Sequence, residues 1–142
     1  MQWATSLAEA VRTRASALRL RRSTELLCDN LMCEKVGQTC VCKLSMALER
    51  MKQLEHLDLS DNHLDRLPEV WRLEKLRTLD VRSNRLETLP EQLALAPALR
   101  ELRVEGNPLR GVPAALAEMV AAGETAARRE PAPWPAPAGG AS

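Results

Sequence analysis

Three segments of this chain superimpose when they are aligned on Asn62, Asn84 and Asn107. They read LEHLDLSDNHLDRLPEVWRLEK from Leu54, LRTLDVRSNRLETLPEQLALAPA from Leu76 and LRELRVEGNPLRGVP from Leu99. Each carries L-x-x-L-x-[LV]-x-x-N-x-L-x-x-[LV]-P, and the asparagines recur at an almost constant interval. A chain that returns to the same leucines at a fixed period buries them by stacking one coil on the next. Residues two apart on a strand point the same way. The pairs Leu57/Leu59, Leu79/Val81 and Leu102/Val104 therefore face inward. Leu54, Leu64, Leu67, Leu76, Leu86, Leu89, Leu99, Leu109 and Val112 complete the core of each coil.

The other repeated positions have structural readings too. Each asparagine stands where the chain turns away from its strand. Its amide has two donors and an acceptor, enough to serve backbone groups the turn leaves unpaired. The prolines at 68, 90 and 113 begin the convex segment, where a missing N–H costs nothing. Trp71 takes the convex core position that Leu93 holds in the next coil. The stretch 54–113 resembles the leucine-rich repeat family, in its short L-P-containing "typical" intracellular form. The resemblance implies an α/β repeat: a short solenoid with parallel strands on the concave face, irregular or helical convex segments and helical caps. It also implies that Asn62, Asn84 and Asn107 form a structural ladder inside the coils, and that any partner meets the concave face.

Composition sets further bounds. The chain has 142 residues, enough for one domain with tails, and a net charge of +1. That balance points to no nucleic-acid partner. There is no Phe and no Tyr, so the core is aliphatic. The sequence contains no apolar run of about 18 residues, the length needed to cross a membrane. Residues 1–24 hold five Arg against one Glu. Trp3, Leu7, Val11 and Leu18 fall on one face of a helix over residues 1–22. This segment is either an amphipathic cap on the open end of the solenoid or a mitochondrial targeting segment.

Residues 25–53 read as a divergent first repeat, with Leu27, Asn30 and Met32 in the repeat register. A helix from about Thr39 to Met51 follows, with Val41, Leu44, Leu48 and Met51 on one stripe. It resembles the helix-containing ribonuclease-inhibitor type of repeat. All four cysteines fall here: Cys28, Cys33, Cys40 and Cys42. The pattern C-x4-C-x6-C-x-C lacks the paired C-x2–4-C knuckles of structural zinc. We therefore expect buried thiols acting as small apolar filler, rather than a metal site or disulfides. With no Cys after Cys42, the flanking cysteine caps of extracellular members are missing, and a cytoplasmic location is expected.

Regular repeats then run over 54–75, 76–98 and 99–122. Their outward positions form columns across neighbouring strands, about 4.8 Å apart. His56, Asp58, Ser60 and His63 lie beside Thr78, Asp80, Arg82 and Arg85, and these beside Glu101, Arg103 and Glu105. This is the candidate partner-binding face, a charged surface for another protein or peptide. Asp58 beside Asp80 is a pair of carboxylates, but on an open, wet face nothing would shift them toward acid–base work. No phosphate loop, nucleophile elbow or zinc-protease motif appears. We expect no enzyme, no cofactor and no metal. A closing helix over 113–122, with Leu116, Met119 and Val120 apolar and Gly123 at its end, caps the last coil. The Pro/Ala-rich stretch 123–142 is expected to be a disordered tail whose alternating prolines favour polyproline conformation. The expected function is a monomeric, non-enzymatic adaptor or scaffold that binds a protein partner. The alternatives are a mitochondrial assembly factor with an Arg-rich leader and a truncated isoform of a longer repeat protein.

Overall fold

The computed structural model describes residues 3–22, 26–27, 31–34, 37–38 and 40–120. The cysteine at 28, the asparagine at 30, Gly123 and the Pro/Ala-rich tail lie outside the described residues. Among the described residues four short strands form one parallel sheet in chain order: β1 (Ala17–Arg19), β2 (His56–Asp58), β3 (Thr78–Asp80) and β4 (Glu101–Arg103). Two helices, α1 (Leu7–Thr13) and α2 (Cys42–Leu48), belong to the first part of the chain. The regular coils cross their convex side in 3-10 turns at Val70–Arg72, Glu91–Leu95 and Ala114–Leu116.

The register follows the repeat. Leu57 pairs with Leu79, and Leu79 with Leu102. All the inward leucines and valines of these strands are buried, and they join Leu54, Leu64, Leu76, Leu86, Leu89, Leu93 and Leu99 in one continuous core. Each fully buried leucine contributes roughly 1.5–3 kcal/mol. On the convex side Val70 is fully buried and Trp71 only half-buried against the core. The smaller residue thus takes the deeper place and the indole covers it. At the last coil the pattern loosens. Leu109 is half-buried and Val112 exposed; among the described residues no further coil lies on them. Leu116, Met119 and Val120 turn onto the core as expected.

The N-terminal part differs from expectation. The expected helix over residues 1–22 is two elements: α1, and the strand β1 that opens the sheet. Ser6 caps α1, its hydroxyl accepting from the Glu9 N–H at 3.1 Å. Glu9 in turn accepts from the Thr5 N–H at 2.9 Å. The helix stops at Arg14, which is left-handed at φ 52°. The chain can then extend into β1, where Ala17 pairs with His56 and Leu18 with Leu57. Leu18 and Leu20 are the L-x-L pair of the first coil and are almost fully buried. The first coil therefore starts before residue 25. The expected register at Leu27 and Met32 fails: both are exposed. The step from β1 to β2, Ala17 to His56 by this register, is far longer than the steps between the coils that follow. Helix α2 fills part of that length and is shorter than expected. Its stripe still packs: Leu44, Leu48 and Met51 are buried and Val41 joins them at the edge. Ala4 bridges to Leu18 beyond β1 and so covers the open backbone edge of the sheet.

Two regularities hold the coils in step. One residue before each ladder asparagine the backbone is left-handed: Asp61 (φ 61°), Ser83 (57°) and Gly106 (79°), with Arg22 (50°) as their counterpart in the first coil. At Gly106 a side chain would also be crowded, since a Cβ there would lie 3.1 Å from the Ser83 backbone nitrogen. The asparagine side chains do the rest. Asn84 Oδ1 accepts from the N–H groups of Asn62 and Leu64, each at 3.0 Å. Its Nδ2 donates to the carbonyls of Leu59 at 3.0 Å, Val81 at 2.9 Å and Arg82 at 3.2 Å. Asn107 does the same one coil later, accepting from Asn84 and Leu86 and donating to Val81 and Val104. Asn62 donates to Leu20, Leu59 and Ser60.

Removing this amide leaves two buried N–H groups unpaired, each costing about 1–3 kcal/mol. We expect Asn84→Ala to lower the unfolding free energy by about 2–4 kcal/mol. Asn107→Ala should cost less, because Asn107 is only half-buried. Urea denaturation of the two variants measures the difference; a smaller loss at Asn84 would contradict this ranking.

Candidate functional site

The concave face is built from the strand residues that alternate with the buried leucines. By register it has a row Arg19–Asp58–Asp80–Arg103 and a row Ala17–His56–Thr78–Glu101. Side chains on the inside of an arc converge, and here they bury one another. Asp58 and Asp80 have no exposed surface, Arg103 has 1%, and His56, Ser60 and Thr78 are buried. Arg82, Glu101 and Glu105 are half-buried, and His63 and Arg85 are exposed. The expectation of an open, wet face is thus corrected: six of the eleven candidate residues form a covered polar layer, and the accessible ones stand at its rim.

Sequence reasoning missed what covers this layer. Arg19 and Arg21 come from β1 and the residues just after it. Asp58 Oδ2 accepts from Arg19 Nε at 2.9 Å and from Arg21 Nη2 at 3.0 Å. Asp58 Oδ1 accepts from the Ser60 hydroxyl at 2.7 Å and from its N–H at 3.0 Å. Arg21 Nε also reaches Ser60 Oγ, at 2.9 Å. The next arginine, Arg22, pairs with Asp61 at 2.6 Å. Arg19 lies over the Trp3 ring at 4.2 Å, and Trp3 stands 6.4 Å from His56. Ala17, with only a methyl, leaves room for that approach. The signal for all this was present as Leu18-Arg19-Leu20, one more L-x-L pair. It lay far upstream of its partner strand and outside the period of the others.

Asp80 is held differently. Arg82 binds both its oxygens, with Nε at 3.0 Å from Oδ1 and Nη2 at 2.8 Å from Oδ2, and the Arg82 N–H adds a third contact at 3.1 Å. Burial pushes the Asp80 carboxyl above its ordinary range, and the neighbouring Asp58 charge adds to the rise, while Arg82 opposes it. All four oxygens of the two adjacent carboxylates accept hydrogen bonds within the chain. Asp58 ties the first coil to the second and Asp80 braces its own coil, and truncating one partner of such a buried pair costs about 3–5 kcal/mol.

His56 Nδ1 lies 2.6 Å from the Thr78 hydroxyl. Burial lowers the imidazole below its ordinary value of 6.5; Arg77 adds to this, and Glu55 and Glu101 oppose it. The sign of the linkage follows. The unfolded chain takes up the proton first, so the stability from neutral His56 is fully present above about pH 6.5 and is lost as pH falls from there through the folded value. We expect the melting temperature to drop on acidification from about pH 7.5 to about pH 5.5, and His56→Gln to flatten that slope. A slope unchanged in His56→Gln would remove His56 as its source.

Comparison with known proteins agrees with this geometry. Residues 52–109 match the family model described as leucine rich repeat. The structure is similar to that of a leucine-rich repeat protein of Leptospira interrogans, with a TM-score of 0.58 and 24% identity. The match covers 84% of this chain and 33% of that one, so the chain spans about a third of its length. No curated protein matches the chain. By the family match, its parallel sheet and its asparagine ladder, the stretch 52–109 is a leucine-rich repeat array, and the chain has the fold of such arrays.

Proposed function

We propose that the chain is a non-enzymatic interaction module, an adaptor or scaffold that binds a protein partner along the concave rim. One observation carries this reading. His63 and Arg85 stand at equivalent positions of adjacent coils, one residue past the ladder asparagine, and both are exposed. Arg82 is half-buried and already engaged by Asp80. The charges beneath are already neutralised within the chain, whereas these side chains face solvent. Arginine on a rigid frame is a good anchor for a partner's carboxylates. The four coils offer a small surface. A stable complex needs roughly 800 Å² per partner, so affinity is modest and the partner is an acidic segment rather than a large domain.

The same reading treats residues 3–22 as part of the fold and the protein as cytoplasmic. What supports it is the burial of Ala4, Ala10, Leu18 and Leu20 in the common core. Cleavage of about 20 residues, as for a mitochondrial leader, would strip β1 from the sheet. A C-terminally tagged protein examined by intact mass and by imaging tests this. A shortened N-terminus with mitochondrial signal would replace the adaptor reading with that of a mitochondrial factor.

Partner capture tests the rim. Charge reversal at Asp80 would unfold the chain, since that carboxylate is buried. Exposed residues are the right probes. His63→Glu with Arg85→Glu should abolish cross-linked capture of the partners that the parent protein retains, with the far-UV spectrum unchanged. Arg72→Glu with Lys75→Glu, on exposed residues of the convex side, should leave capture intact. Capture that survives the rim variant, or is lost in the convex one, would place the partner elsewhere.

A further inference from the structure

Cys33, Cys40 and Cys42 bring their sulfur atoms together although the spacing C-x6-C-x-C is not that of a zinc knuckle. The distances are 3.2 Å between Cys40 and Cys42, 3.7 Å between Cys33 and Cys40, and 3.8 Å between Cys33 and Cys42. Disulfide sulfurs are about 2.05 Å apart, so these are thiols in a triangle. A tetrahedral zinc ion with Zn–S bonds of about 2.3 Å requires sulfurs roughly 3.8 Å apart. Two edges of the triangle meet that value and the third is shorter. The expectation of apolar filler also fails on burial: Cys40 is buried, but Cys33 and Cys42 are only half-buried. Ordinary core packing does not gather three thiols at the margin of a core.

The surroundings show what such an ion would do. The segment between β1 and α2 makes the first coil the longest, yet among its described residues from 26 to 40 only Leu26 and Cys40 are buried. Leu31 and Met32 are 87% and 92% exposed. Apolar burial therefore does little to hold the described part of this segment. One anchor is the Cys40 N–H donating to the Leu26 carbonyl at 2.8 Å. Cys42 opens α2, whose Leu44 and Leu48 are buried. A cation fixed on these sulfurs would tie the long segment to the start of that helix, and through it to the core.

We propose that Cys33, Cys40 and Cys42 bind a zinc ion that staples the first coil. The site is separate from the concave rim and independent of the adaptor reading. On binding, each thiol gives up its proton to solvent and donates a sulfur lone pair to the metal, with no change of oxidation state. Three protein sulfurs occupy three vertices of the tetrahedron, and water or a further side chain fills the fourth. The soft, filled-shell ion matches the thiolate set, whereas magnesium or calcium would prefer oxygen.

The test uses the full chain, purified without a histidine tag under reducing, anaerobic conditions. Elemental analysis should find one zinc per chain. Cobalt(II) substituted for zinc should show visible bands of tetrahedral geometry together with sulfur-to-cobalt charge transfer in the near ultraviolet. Zinc removal by a chelator should lower the melting temperature, and readdition should restore it. Cys33→Ser and Cys42→Ser alter half-buried positions and are expected to fold. Each should weaken zinc binding on the order of 100-fold or more, beyond the loss typical when a residue that merely orients a ligand is changed. Cys40→Ser, at the buried position, should do the same. A reduced protein that takes up no zinc at micromolar concentration would overturn the proposal. So would Cys33→Ser and Cys42→Ser variants that bind zinc as tightly as the parent.

Discussion

One amide per coil sets the geometry of this protein. The Asn84 side chain serves two N–H groups and three carbonyls at a single turn. Asn107 repeats the arrangement one coil later. Because each oxygen accepts from the preceding coil, no coil can slide against its neighbour without stranding buried donors. The parallel register, the burial of the leucines and the alignment of the outward side chains all follow from that constraint. The left-handed residue before each ladder position makes the turn tight enough for the amide to reach.

Electrostatics on the concave side is a consequence of this stacking. Strands held about 4.8 Å apart on the inside of a curve crowd their side chains together. Asp58 and Asp80 are forced side by side, and such a pair persists only if each is neutralised. Asp80 finds Arg82 on its own coil. Asp58 draws on Arg19 and Arg21 of the first coil, which makes the N-terminal part of the chain an electrostatic partner of the repeats. Trp3 and Arg19 then lie over the His56 end of the layer. The charges that look most eligible for recognition are thereby used internally, and the side chains left facing solvent are those of the rim, His63 and Arg85.

The first coil obeys different rules. It is long, its described residues between β1 and α2 are mostly not buried, and its sequence carries all of the cysteines. A regular coil closes on its own leucines. This one depends on the arginine pairs at its strand, on α2, and on whatever gathers the three sulfurs. Its two ends pack into the common core through Leu18, Leu20, Leu44 and Leu48, while the described residues between them are mostly exposed.

The sequence by itself determined the regular coils: the inward leucines, the asparagine ladder and the closing apolar positions at Leu116, Met119 and Val120. Each of these depends on residues a few positions apart or one period away, and such relations are visible along a chain. Tertiary structure decided the rest. Ala17–Arg19 became a strand rather than a helix because its pairing partner, His56–Asp58, lies much further along the chain than one period. Asp58, Asp80 and Arg103 became covered structural groups because neighbouring coils converge on them. Cys33, Cys40 and Cys42 met in one triangle because the fold brings a loop back to the start of α2. Burial and convergence are properties of residues assembled from several coils, and no local spacing reports them.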